Sequence, residues 1–106
     1  MPFPPPLPAL LAAAELARDW AAFSRHSKLP LEGVALDRAA VRFEARARTG
    51  PEPASRAGGF IVAAEIAREE SQEAWSHGHL HEERALRALA RTLDAMAGSE
   101  DTRPRG

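Results

Sequence analysis

The chain has 106 residues, 44% hydrophobic and 27% charged, with a net charge of -1 at pH 7 and no cysteine. That length suits one domain around one core. The lack of cysteine excludes disulfides, thiolate metal sites and thiol catalysis, and the charge balance denies the molecule the general positive field that gathers nucleic acid or anionic lipid. Much of the apolar content is alanine, so the expected core is thin.

The opening MPFPPPLP reads as a stiff polyproline tail over residues 1–7, with Pro8 placed in the first turn of a following helix, where its missing N–H costs nothing. A proline-rich ligand for a partner groove is the alternative use of such a tail. The run LPALLAAA has no basic residue before it, is broken by proline and is too short to cross a bilayer, so the expectation is a cytoplasmic protein with no membrane segment. From Pro8 to about Ser27 the spacing is helical. Leu10, Ala13, Leu16, Ala17, Trp20, Ala21 and Phe23 share one face, opposite Glu15, Arg18, Asp19 and His26.

Two patterns compete in the middle of the chain. Leu36, Ala40, Phe43 and Ala47 would form a helical stripe, whereas Val41, Phe43, Ala45 and Ala47 alternate with Arg42, Glu44, Arg46 and Arg48, as in a strand with one buried face. Gly50-Pro51-Glu52-Pro53 cannot continue a helix, and Gly58-Gly59 precedes the β-like run Phe60, Ile61, Val62. The expectation is strands near Leu36 to Arg48 and Phe60 to Ala67, joined as a hairpin.

The last element is an amphipathic helix, with Ala85, Leu86, Leu89, Leu93 and Met96 on one side and Arg84, Arg87, Arg91 and Asp94 on the other. Glu82 and Glu83 suit its first turn, and Gly98 is expected to close it. Residues 98–106 read as a polar tail, and no internal repeat is evident. The fold expectation is α+β over residues 8–97: an N-terminal helix, an antiparallel β-hairpin or short sheet and a C-terminal helix. The alternative is all-α, a three- or four-helix bundle. Trp20, Phe23, Phe43, Phe60, Val62, Ile66, Leu86, Leu89 and Leu93 would supply the core.

Three of the four histidines fall at alternate positions in WSHGHLH, Trp75 to His81. In a strand His77, His79 and His81 would share a face; in a helix only His77 and His81 would be neighbours. With a carboxylate from Glu70, Glu73 or Glu82 they could bind a divalent transition metal such as zinc, nickel or copper. Gly78 argues for a break there, leaving His79 and His81 beside the start of the last helix. The plainer reading is a polar connection with no cofactor.

Enzymatic chemistry has little footing. Gly58-Gly59 lacks the lysine and spacing of a phosphate loop, and nothing singles out Asp37, Glu44 or Glu65 as an acid or base. Arg84, Arg87 and Arg91 on the last helix, and Arg42, Arg46 and Arg48 on the exposed strand face, are candidate phosphate contacts. RFEARARTGPEP, then FIVAAEI and the final helix, resembles part of a double-stranded-RNA-binding domain over about Phe43 to Met96. The resemblance implies a strand, a Gly-Pro loop, a second strand and a closing helix. It departs from that family at Pro53, where a loop histidine reads the minor groove, and at His81, Glu82 and Glu83, where a lysine cluster opens the last helix. The leading expectation is a non-enzymatic protein–protein interaction or accessory module that pairs with itself as a homodimer or with another protein. A histidine-cluster metal-binding protein is the first alternative and a nucleic-acid-binding domain the second.

Overall fold

The computed structural model describes residues 7–101, apart from the side chain of Asp101, so most of the polyproline tail and the end of the polar tail lie outside the described residues. Four helices follow one another: α1 Ala9–His26, α2 Pro30–Thr49, α3 Arg56–Ser76 and α4 Leu80–Asp101. There is no strand among the described residues. The α+β expectation is therefore overturned, and the all-helical alternative describes the chain.

Both expected strands are helical for identifiable reasons. In α2 the buried residues Leu36, Ala39, Ala40 and Phe43 follow helical spacing, while Val41, which the alternation would bury, is 53% exposed. Alanine, leucine, arginine and glutamate are strong helix formers, and here intrinsic preference coincides with the i, i+3, i+4 stripe. In α3 the Ser55 side chain caps the helix by accepting from the Gly58 N–H at 2.9 Å, which lets Gly58 and Gly59 lie within the first turns. Gly59 is needed there, because a Cβ on it would sit 2.6 Å from the Ala9 Cβ of α1. Pro51 and Pro53 do separate α2 from α3. Gly98 does not end α4, which continues to Asp101.

Phe43, Phe60, Leu36, Leu89 and Leu93 are the largest fully buried side chains. Around them Ala13, Ala17, Ala21, Ala39, Ala40, Ala63 and Ala67 are completely buried. Small side chains at these contacts let helix axes approach toward the short end of the usual ~8–10 Å. Two expected core aromatics are displaced: Phe23 is 71% exposed and Trp20 is only partly buried.

The backbone also reveals a repeat that the sequence pattern concealed. Ala13–Asp19 reads AAELARD, and fifty residues on Ala63–Glu69 reads AAEIARE. The same offset pairs buried Leu10 with Phe60, Ala17 with Ala67, Leu36 with Leu86, Ala40 with Ala90 and Phe43 with Leu93. It also pairs the turns. Lys28 (φ 64) and Gly78 (φ 74) are both left-handed. Leu29 N donates to Ser24 O at 2.7 Å as His79 N does to Ala74 O at 2.9 Å, and Lys28 N to Arg25 O as Gly78 N to Trp75 O. Each is a Schellman closure. Even an ion pair recurs, with Arg18–Glu44 and Arg68–Asp94 both at 2.6 Å.

The molecule is thus two like helical hairpins, α1–α2 and α3–α4, packed together. The equivalent positions Ala9 and Gly59 meet between them, as expected of a pseudo-two-fold axis. Across the halves the main contacts are of α1 with α3 and of α2 with α4; α2 and α3 touch less, and their counterparts α4 and α1 less still.

Candidate functional site

The histidines lie at the α3–α4 turn, beside a cleft of about 180 Å³ lined by Ala35 and Arg38 of α2, Glu70, Glu73 and Ala74 of α3, His77 and His79 of the turn, and Glu82 and Leu86 of α4. This places the beginning of α2 next to the end of α3, so both hairpin tips share one end of the molecule. His77 caps α3 and its Nδ1 lies 2.9 Å from the Glu73 carbonyl. A proton on Nδ1 donated to that carbonyl leaves Nε2 as the free ring nitrogen. The His77 and His79 rings stack, with centroids 5.8 Å apart. His79 Nδ1 is 3.5 Å from a Glu82 oxygen, and His77 Nδ1 is 3.6 Å from a Glu73 oxygen.

Of the six expected ligands, Glu70, Glu73, His77, His79 and Glu82 therefore border one cleft. His81, exposed on the first turn of α4, does not line it. The left-handed Gly78 breaks the helix that would have stacked His81 on His77. Among the described residues no group of three or more histidine, aspartate or glutamate side chains could hold one ion. Cations already occupy this neighbourhood, since Arg38 lines the cleft and Arg42 approaches Glu70 at 3.8 Å.

The arginine stripe on α4 is divided. Arg87 pairs with Glu83 one turn earlier, and Glu83, only 5% exposed, also lies 3.4 Å from Ser71 Oγ. Arg84 and Arg91 are exposed and make no ion pair among the described residues. Arg42, Arg46 and Arg48 form no common face. Arg42 bonds Glu69 at 3.0 Å, and Arg46 donates to the Pro51 carbonyl at 2.8 Å. With residues 36–48 and 60–67 helical, the topology implied by the resemblance to double-stranded-RNA-binding domains is absent. The carboxylates considered for acid–base work are surface partners: Asp37 pairs with Arg25 and Arg18, and Glu44 with Arg18. The hydrogen bond and then the charge of Glu44 raise the Arg18 pKa above its ordinary value.

A different feature went unread in the sequence. Large apolar side chains are exposed around the hairpin tips: Phe23 71%, Leu31 65%, Val34 51%, Trp75 62% and Leu80 51%. Leu31, Val34 and Val41 fall at i, i+3 and i+10 on the outer side of α2, and their counterparts on α4 are His81, Arg84 and Arg91. Burial depends on the tertiary partner, so only the fold could reveal these residues as surface. The fifty-residue offset was the signal that could have found them, because it aligns Phe23 with Glu73 and Val34 with Arg84.

Comparison of the chain with family models, with curated proteins and with solved structures finds no match. No helix among the described residues is long and apolar enough to cross a membrane.

Proposed function

We propose that the chain is a non-enzymatic interaction module, a rigid pair of helical hairpins that binds protein through apolar side chains held at its surface. The observation that carries this reading is the exposure of Phe23, Leu31, Val34, Trp75 and Leu80 around one end. Each leaves a large hydrophobic group in water, and apolar side chains gathered at one end of a molecule are the material of a binding surface. A four-helix scaffold with a closely packed alanine core supplies the rigidity that lowers the entropic cost of association.

The test is site-specific photocrosslinking in the cell of origin. A photoreactive side chain replaces Phe23, Val34 or Trp75 in turn, and Glu52, exposed on the interhelix loop, as the control. Protein adducts at the apolar positions and none at Glu52 support the reading. Absence of protein adducts at all three apolar positions overturns it.

A further inference from the structure

The two hairpins place equivalent residues along two equivalent seams, α2–α3 and α1–α4, and fill them differently. At the first seam Arg38, Arg46, Glu70 and Glu73, with Ala45 and Ile66, line grooves between the helices alongside Glu65 and Glu69, and Arg42 bridges to Glu69 and Glu70. Fifty residues away, Glu65 and Glu69 correspond to Glu15 and Asp19, and the counterparts of the other six groove residues are Ala88, Met96, Trp20 and Phe23, with Ala95 and Leu16. All six are apolar, none is fully buried, and α1 and α4 stand apart rather than closing over them. Where one half of the molecule bridges its seam with charge, the other leaves a strip of apolar side chains edged by Glu15 and Asp19.

The rims of that face carry opposite charge. Glu15 and Asp19 lie on the α1 side and Arg84 and Arg91 on the α4 side, all exposed and all without an ion pair among the described residues. The register follows from the bridged seam. Arg42 meets Glu69 at 3.0 Å, and their counterparts are Thr92 and Asp19, so Asp19 lies level with Thr92 and beside the level of Arg91.

We propose that the α1–α4 face is a homodimer interface, formed about a two-fold axis running along the helices, in which Asp19 of each copy meets Arg91 of the other. This rests on the interaction-module reading and gives one of its partners, a second copy of this chain, a face that shares only Phe23 with the apolar group at the hairpin tips. A two-fold axis parallel to the helices sets α1 of one copy against α4 of the other and preserves height, so acidic rim meets basic rim twice. The perpendicular two-fold sets α1 on α1 and α4 on α4, pairing like charges, and is disfavoured. Trp20 and Phe23 supply the aromatic anchors that commonly dominate such contacts.

The experiment is sedimentation equilibrium of the purified full chain across micromolar concentrations at low and moderate salt, with circular dichroism on each variant. The wild type is expected at twice the 11.5 kDa chain mass, with dissociation promoted by salt. Phe23→Glu, which installs the residue found at Glu73, is expected to weaken the dimer by about tenfold or more while keeping its helical spectrum. Asp19→Arg and Arg91→Glu alone are each expected to weaken it by about tenfold, and together to restore it to within roughly threefold. Failure of the double reversal to restore the dimer overturns the proposed axis, and a dimer indifferent to Phe23→Glu overturns the proposed face. A wild type that stays monomeric throughout overturns self-pairing altogether, while crosslinks from Phe23 to a different protein would leave the interaction-module reading standing.

Discussion

The packing of Ala9 against Gly59 joins the two hairpins tightly enough that a single methyl group tests it. An alanine Cβ at position 59 would lie 2.6 Å from the Ala9 Cβ, whereas carbon atoms in contact rest at about 3.5–4.0 Å. Gly59→Ala must therefore push α1 and α3 apart by about an ångström at their N-terminal ends. Overpacking of this kind costs about 1–3 kcal/mol, against a gain of up to about 1 kcal/mol from replacing glycine in a helix. The expected net effect is a loss of up to about 2 kcal/mol. Ala9→Gly removes the opposing methyl, so the double variant Ala9→Gly/Gly59→Ala exchanges the two residues across the pseudo-two-fold axis and should recover most of the loss. The assay is urea unfolding of the wild type, both single variants and the double variant at one protein concentration. Favourable coupling of about 1–3 kcal/mol is expected. Additivity within about 0.5 kcal/mol would refute the contact, and with it the way the halves are packed.

Other substitutions test the remaining structure by the same measurement. Lys28 holds φ 64 where a side chain is strained, so Lys28→Gly should stabilise by about 1 kcal/mol, and Gly78→Ala, at φ 74, should destabilise by a similar amount. Phe43→Ala, which empties a completely buried site, should cost about 3–5 kcal/mol. Gly98 is helical and a Cβ there meets nothing within 4 Å, so Gly98→Ala should stabilise by about 0.5–1 kcal/mol. If Gly98 instead closed the helix, that substitution would be neutral or harmful.

The outer helices were legible in the sequence because their stripes contain large apolar residues set against charge: Leu10, Leu16 and Trp20 in α1, and Leu86, Leu89 and Leu93 in α4. The inner helices were not. In residues 36–48 the strand pattern and the helix pattern share Phe43 and Ala47, and the residues that distinguish them are mostly alanines, whose small side chains report burial weakly. Gly58-Gly59 looked like a turn before a strand because close approach to Ala9 is a tertiary fact. The histidine turn was placed correctly by Gly78, the one residue there whose backbone preference is local. The repeat is faint in the sequence because strong identity is confined to AAELARD and AAEIARE, while many outward positions, such as Phe23 and Glu73 or Val34 and Arg84, have diverged.

That divergence separates what folds the chain from what it does. Most buried positions of the two hairpins remain alike in kind, leucine for phenylalanine and alanine for alanine, with the pair Gly33 and Glu83 an exception, whereas Leu31, Val34 and Val41 on α2 stand where α4 has His81, Arg84 and Arg91. If the outer stripe of α2 serves binding rather than stability, rewriting it as the stripe of α4 should leave the fold intact. The triple variant Leu31→His/Val34→Arg/Val41→Arg changes only residues that are 65%, 51% and 53% exposed. Substitutions away from packed contacts usually stay within about 0.5 kcal/mol each, so the urea midpoint should move little. Protein adducts from a photoreactive side chain at Trp75 test whether the same partner still arrives from the neighbouring hairpin, and their loss in the triple variant is the expected result. A large drop in stability would mean that these side chains support the core despite their exposure. Unchanged adducts would mean that the α2 stripe is not where partners bind.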